Sequence, residues 1–309
     1  MMTFNEFMRT FPDETSCRQF LVDRRWPKGV TCPRCGNEKP YSSKARPFTW
    51  QCMKCGPGPR KPYRFSVLVG TVFENTNVPI ATWFKVLYTM LQSKKGVSSL
   101  QIRRMFFGER SSTHTAWYVC HRLRAGMRDE AFRKLMGIVE VDETYIGGKD
   151  RNRHWNKKSR QVREAAGPQA ITGRPGHALG SLKVGVVGAI ARKGNVIARV
   201  IGDAEARTLN GFVDRMIDDN VSLVATDENP AYRHLGLPHG AVNHSEHEYV
   251  RGEVHTNDLE SFWSLLKRGV VGTYHHVSRK YLPLYLNEFS FRHNNRKNED
   301  IFGAAIAAC

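Results

Sequence analysis

Two acidic residues sit in or at the end of apolar runs, and a third lies on a polar helix face. Asp142 stands inside the apolar run Ile138-Val139-Glu140-Val141-Asp142-Glu143-Thr144-Tyr145-Ile146, and a bare carboxylate among Val and Ile side chains is costly to bury. Asp227 closes a second apolar run, Leu223-Val224-Ala225-Thr226-Asp227. Acids at the ends of two strands can face each other across adjacent strands. Such a pair suits Mg2+, which takes a few carboxylates plus water and substrate phosphate. The third acid, Glu260, lies in His255-Thr256-Asn257-Asp258-Leu259-Glu260-Ser261-Phe262-Trp263-Ser264-Leu265-Leu266-Lys267-Arg268. Glu260 and Lys267 are seven apart, two turns on one helix face, and Asn257 precedes Glu260 by three. Leu259, Phe262, Trp263 and Leu266 form an adjoining apolar stripe that would dock this helix on a sheet. The polar line Asn257–Glu260–Ser264–Lys267 would then border the acids.

A different chemistry is written near the N-terminus. Cys32-Pro-Arg-Cys35 and Cys52-Met-Lys-Cys55 are separated by sixteen residues, the spacing of a tetrahedral four-cysteine zinc site. A closed all-cysteine shell is structural, so catalysis must lie elsewhere. The other cysteines, Cys17, Cys120 and Cys309, are isolated, and an odd total of seven argues for a reducing cytosol over a disulfide framework.

The elements that must carry these residues follow from periodicity. Residues 3–25 are helical in pattern, and 30–70 alternate short β-type runs with Pro and Gly turns, as in a zinc ribbon. Ile80, Trp83, Phe84, Leu87 and Leu91 mark a helix with a core face. A Ser98/Ser99-capped helix, a turn at Gly108 and a basic helix running to about Arg128 make a helix-turn-helix arrangement that offers Arg122 and Arg124 to DNA. From 138 onward the order is strand, hairpin of two strands (182–191 and 195–201), helix (207–219), strand (221–226), an irregular His-rich stretch, then helices near 256–268 and 279–294. That order fits an RNase H-like mixed sheet better than a strictly alternating parallel one. The chain thus reads as a multidomain α/β protein: N-terminal helix and ribbon (1–70), helical DNA-binding segment (71–136) and catalytic domain (137–309) with a Gly-rich basic insertion (147–180).

Charge points to the partner. Lys and Arg number 47 against 29 acids, for a formal net charge of +18, which calls for a polyanion, foremost nucleic acid. No apolar run is long enough to span a bilayer, and no secretory signal opens the chain. Lys39, Lys44, Arg46, Arg60 and Lys61 of the ribbon suit phosphate contacts, as do Lys157, Lys158 and Arg160 of the insertion and Lys267 and Arg268 beside the third acid. Glu143 and Glu228 follow the two strand acids and would point to the opposite side of the pleat. Tyr145 reads as structural. The histidines of the last third lack metal spacing with cysteine; His255 is the one nearest the acidic helix.

Asp142, Asp227 and Glu260 with Lys267 resemble the catalytic set of DDE transposases and integrases. The segments 141–149 and 255–263 are similar to one group in particular, the zinc-ribbon insertion-sequence transposases of the ISXO type, related to eukaryotic Merlin elements. The resemblance covers nearly the whole chain. It implies an RNase H-like core that binds the terminal inverted repeats of its own element, cuts DNA and joins the 3′ ends to target DNA. It implies catalytic Mg2+ or Mn2+ on Asp142, Asp227 and a third residue, beside structural Zn2+. That third residue is Glu or Asn in this group; Glu260 is preferred over Asn257 because a carboxylate binds Mg2+ more strongly than an amide. Double-stranded DNA, a homodimer or larger assembly, and a cytoplasmic, nucleoid-associated location follow as expectations. Two other readings share features: a nuclease that only hydrolyses, and a zinc-ribbon regulator without catalysis.

Overall fold

The structure is a computed structural model describing residues 2–56, 58, 61–108, 111–128, 133–147, 183–242 and 250–309. The basic insertion, with Lys157, Lys158 and Arg160, lies outside the described residues, as does Arg60. The chain forms two compact units, residues 1–129 with 295–309, and residues 130–294.

In the first unit, α1 (Phe4–Thr10) and α2 (Glu14–Arg25) each start with a capping box, at Thr3 and Asp13. These side chains accept the N–H groups that a helix start leaves unbonded. A three-stranded antiparallel ribbon follows, β1 (Tyr41–Ser42), β2 (Thr49–Cys52) and β3 (Tyr63–Ser66). Helix α3 (Ile80–Gln92) buries Ile80, Trp83, Phe84, Leu87 and Leu91, the face its periodicity marked. Ser98 caps α4 (Ser99–Ile102), which widens into a π-turn at Arg103–Phe107 and stops at Gly108, whose φ of 74° favours glycine. Ser112 caps α5 (Thr113–Gly126).

Two expectations change here. Residues 295–309 belong with the N-terminal unit, not with the catalytic domain. The reason is aromatic packing: Phe302, on the C-terminal helix Ile301–Ala307, lies 5.6 Å from Phe7, 5.3 Å from Phe11 and 5.3 Å from Phe84, ring centre to ring centre. The second concerns the basic helix. Arg124 is fully buried, and Arg122 donates to the backbone carbonyls of Glu74 (3.0 Å) and Thr71 (3.4 Å). Arg124 is thus enclosed within its own unit, and half-buried Arg122 bonds to carbonyls of that unit, in place of the fully solvated pair the sequence suggested.

The second unit is a five-stranded mixed sheet flanked by helices, as in an RNase H-like domain. Its strands are β4 (Ile138–Ile146), β5 (Val184–Ala191), β6 (Val196–Val200), β7 (Leu223–Thr226) and β8 (His239–Ala241), in the order β6-β5-β4-β7-β8. The first three are antiparallel neighbours; β7 runs parallel to β4, and β8 parallel to β7. Strand β8 falls in the stretch read as irregular, and His239 there meets the Thr226 hydroxyl at 2.9 Å. Helix α6 (Ala206–Met216) covers one face with Leu209, Phe212 and Val213 over Val139, Val141 and Val187. Helices α7 (Asn257–Gly269) and α8 (Leu282–Asn294) cover the other with Leu259, Phe262, Trp263 and Leu266 among Ile146, Val186 and Ile190. Burying each of those large side chains contributes about 1.5–3 kcal/mol. The two-residue period of β4 therefore sends Asp142 toward α7 and Glu143 toward α6.

Candidate active site and zinc site

Asp142 occupies the middle of β4, the central strand. Its register partner on β5 is Gly188. That glycine leaves room for an indole: a Cβ built there would fall 2.6 Å from the Trp263 ring. Trp263 thus lies across β5 and donates its Nε1–H to Asp142 Oδ2 at 3.1 Å. On the other side, β4 and β7 pair Glu140 with Ala225. Continuing that register by two residues brings Asp227, just past the end of β7, beside Asp142. Burial first, then the charge of Asp227, then that of Glu143 push the Asp142 carboxyl up to about 7.

Asp227 is oriented by its own turn, its Oδ1 accepting the Asn229 N–H at 3.1 Å. Glu143 points to the other face, where its carboxylate accepts from Asn229 Nδ2 and from the buried Tyr232 hydroxyl. Burial raises its pKa, with the Tyr232 bond opposing. Glu143 therefore braces the Asp227 turn through Asn229.

The third element is α7, and a residue passed over in the sequence sets its place. Glu140, fully buried two positions before Asp142, accepts the backbone N–H groups of Asp258 (2.9 Å) and Leu259 (3.1 Å). A carboxylate at a helix N-terminus satisfies free donors and complements the helix dipole. Glu140 also meets His255 Nδ1 at 3.1 Å and Arg192 Nε at 3.5 Å. It ties the β5–β6 turn and the start of α7 to the central strand. The signal for it was available: an acid on the same face of the same apolar strand as Asp142.

So anchored, α7 faces an open cleft of about 450 Å3. Asp142 and Trp263 line it together with Glu260, Lys267 and Arg268. Thr256 Oγ1 donates to Glu260 Oε1 at 3.2 Å. Asn257, exposed at the start of the helix, is not among the lining residues, although it was expected to share that face. Lys267 and Arg268 are exposed at the last turn. The cleft thus sets an acidic end against a basic one along a single helix.

Carboxylates are the donor type that a hard divalent cation takes. All three acids are oxygen donors, and repulsion between Asp142 and Asp227 is the condition such a cation relieves. They form an open set: among the described residues, the only group of three or more possible ligands with atoms within 4.8 Å of one another is the cysteine cluster. That cluster is Cys32, Cys35, Cys52 and Cys55. Sγ–Sγ separations of 3.5 Å (Cys32–Cys55) and 3.6 Å (Cys35–Cys52) approach the edge of about 3.8 Å that Zn–S bonds of about 2.3 Å require of a tetrahedron. Behind it, Trp26, Val30, Trp50 and Phe65 form the ribbon's core. The site fits structural zinc. Among the described residues, no helix is long and apolar enough to cross a membrane.

Two family models match the chain. Residues 12–57 match the transposase zinc-ribbon domain, and residues 134–294 match the ISXO2-like transposase domain. A protein of Halobacterium salinarum, described as an uncharacterized protein in transposable element ISH50, is 28% identical over 297 residues, covering 92% of each chain. No solved structure matches the chain. The second match takes in more than half of the sequence and the whole sheet that bears Asp142, and by that extent the chain belongs to the ISXO2-like transposase family.

Proposed function

We propose that this transposase binds the terminal inverted repeats of its element, cleaves DNA strands there and joins the 3′ ends to target DNA. The observation that carries the reading is the cleft itself, where Asp142, under the charge of Asp227, shares one wall system with Glu260, Lys267 and Arg268. Asp142, Asp227 and Glu260 would hold Mg2+ or Mn2+. When bound, the ions supply activation of the attacking oxygen and charge stabilisation of the scissile phosphate. The chain's own residues do the rest. Trp263 fixes the Asp142 carboxylate, Asn229 fixes that of Asp227, and Glu140 holds α7 so that Glu260 faces the same cleft. Lys267 and Arg268 place positive charge where a phosphodiester would lie. In cleavage, a water oxygen bonds to phosphorus and the P–O3′ bond breaks, freeing a 3′-OH. In joining, that 3′ oxygen bonds to a target phosphorus and the target P–O3′ bond breaks. Two ends must be held together, so the working species is a dimer or larger assembly on DNA.

The test is strand cleavage and strand transfer on duplexes carrying the element's terminal repeats with Mg2+ or Mn2+. Joined products support the reading. Cleavage without joining would leave a hydrolytic nuclease, and strand cleavage retained by Asp142→Asn would refute the site.

A further inference from the structure

The zinc ribbon is two-sided in a way that its metal site does not require. In β2 and β3 the register pairs Trp50 with Phe65 and Cys52 with Tyr63. These side chains turn inward, Trp50 and Phe65 stacking 6.0 Å apart. The alternate pairs, Gln51 with Arg64 and Thr49 with Ser66, must then share the opposite face. Across β1, Tyr41 stands opposite Gln51 and is 68% exposed. Tyr41, Gln51 and Arg64 therefore form one row across the ribbon. Arg46 joins Thr49, Gln51, Arg64 and Ser66 around an open groove of about 480 Å3 on this side. Residues 28–66 contain nine Lys or Arg and a single acid, Glu38. A polar, hydrogen-bonding face on a strongly basic hairpin has charge complementarity for a polyanion.

We propose that this face reads duplex DNA sequence, with Gln51 and Arg64 contacting base edges in the major groove and Arg46 contacting phosphate. β-Strands can present side chains to the major groove, and β2 and β3, the two longer strands of this ribbon, carry Gln51 and Arg64. Arg offers a bidentate fork to guanine and Gln a donor–acceptor pair to adenine. The neighbouring Thr49 and Ser66 hydroxyls can bond either bases or phosphates. The closed zinc site and the aromatic core behind β2 and β3 hold the row rigid, which base readout needs and phosphate attraction alone does not. This inference rests on the transposase reading for its DNA partner, but it concerns recognition and not chemistry.

The experiment selects duplexes from a pool with a randomised core, using the full zinc-loaded chain, and then titrates the selected duplex by fluorescence anisotropy between about 50 and 200 mM salt. Wild type should enrich one sequence. Gln51→Ala and Arg64→Ala should each weaken that duplex about five- to hundredfold and relax the preference at a distinct base pair. Arg64→Lys should keep the salt dependence and lose the preference, since it retains charge without the fork. Arg46→Ala should weaken all duplexes alike and lower the salt slope by about one. Zinc content checks that each variant keeps its ribbon. Enrichment of the same sequence at wild-type strength by Gln51→Ala and Arg64→Lys would overturn the assignment, as would wild type that binds duplex without enriching any sequence. Neither result touches the catalytic reading, which the Asp142→Asn cleavage assay decides separately.

Discussion

The buried carboxylate of Glu140 accepts the backbone N–H of Asp258 at 2.9 Å, 118 positions along the chain. The strand that carries Asp142 thereby also grips the first turn of the helix that carries Glu260. Replacing Glu140 with Ala removes the acceptor for two N–H groups. It should cost about 2–4 kcal/mol in urea unfolding and abolish strand cleavage. Gln keeps an acceptor oxygen and should restore part of both. Equal loss in the two variants would show that the negative charge facing Arg192 and His255, not the helix start, is what matters.

Asp142 and Asp227 are expected to be indispensable. Asp142→Asn and Asp227→Asn should each lower Mg2+-dependent cleavage at least about a thousandfold, through lost charge stabilisation of several kcal/mol. Duplex affinity, measured by anisotropy, should hold within a fewfold.

Trp263 and Gly188 form a second matched pair. A methyl group at Gly188 would meet the indole at 2.6 Å, so Gly188→Ala should destabilise the unit by about 1–3 kcal/mol and displace the ring from Asp142. Trp263→Phe, with its smaller ring, should relieve part of that cost. A double-mutant cycle by denaturant unfolding would then return a coupling energy well above zero, and strict additivity would argue against the contact.

The Asp142 carboxyl, raised to about 7 chiefly by burial and then by Asp227, makes a pH prediction with a definite sign. Its folded pKa lies above the unfolded one, so the contribution to stability is fully present below the unfolded pKa. It is lost as pH rises through about 7. A divalent cation competes with that proton. The rise in melting temperature on adding Mn2+ should be small near pH 6 and larger near pH 8. Asp142→Asn should flatten the difference, and a Mn2+ effect independent of pH would contradict it.

The ribbon should depend on its metal in the usual way of small zinc modules. Cys52→Ser, altering a fully buried ligand, should lower zinc content and lose sequence-selective duplex binding. The Mn2+-dependent thermal shift of the catalytic unit provides the control, and it should persist.

Much of this was legible along the chain because its physics is local. The cysteine spacing describes two knuckles directly. The cap at Ser98 and the core face of α3 follow from neighbours within a turn or two. Asp142 and Asp227 stood out because acids interrupt or end apolar runs, and Glu260 because it precedes Lys267 by seven on one helix face. The helix stripe Leu259–Phe262–Trp263–Leu266 buried as its period required. Arg124 was misplaced because an arginine on a helix is ordinarily solvated, and only the packing around α5 reveals its burial. The C-terminal helix could not be assigned to the first unit without seeing Phe302 among phenylalanines from three other helices.

What the amino-acid order determined alone is the set of parts: a four-cysteine module, a helical segment, and strands bearing acids. What tertiary structure decided is which distant residues meet within the unit that carries the five-stranded sheet. Strand register sets Asp142 beside Asp227, the absent side chain of Gly188 admits Trp263, and Glu140 aims α7. Such relationships join residues tens to more than a hundred positions apart. No local period encodes them, because they exist only once distant strands have paired and a helix has docked upon the sheet.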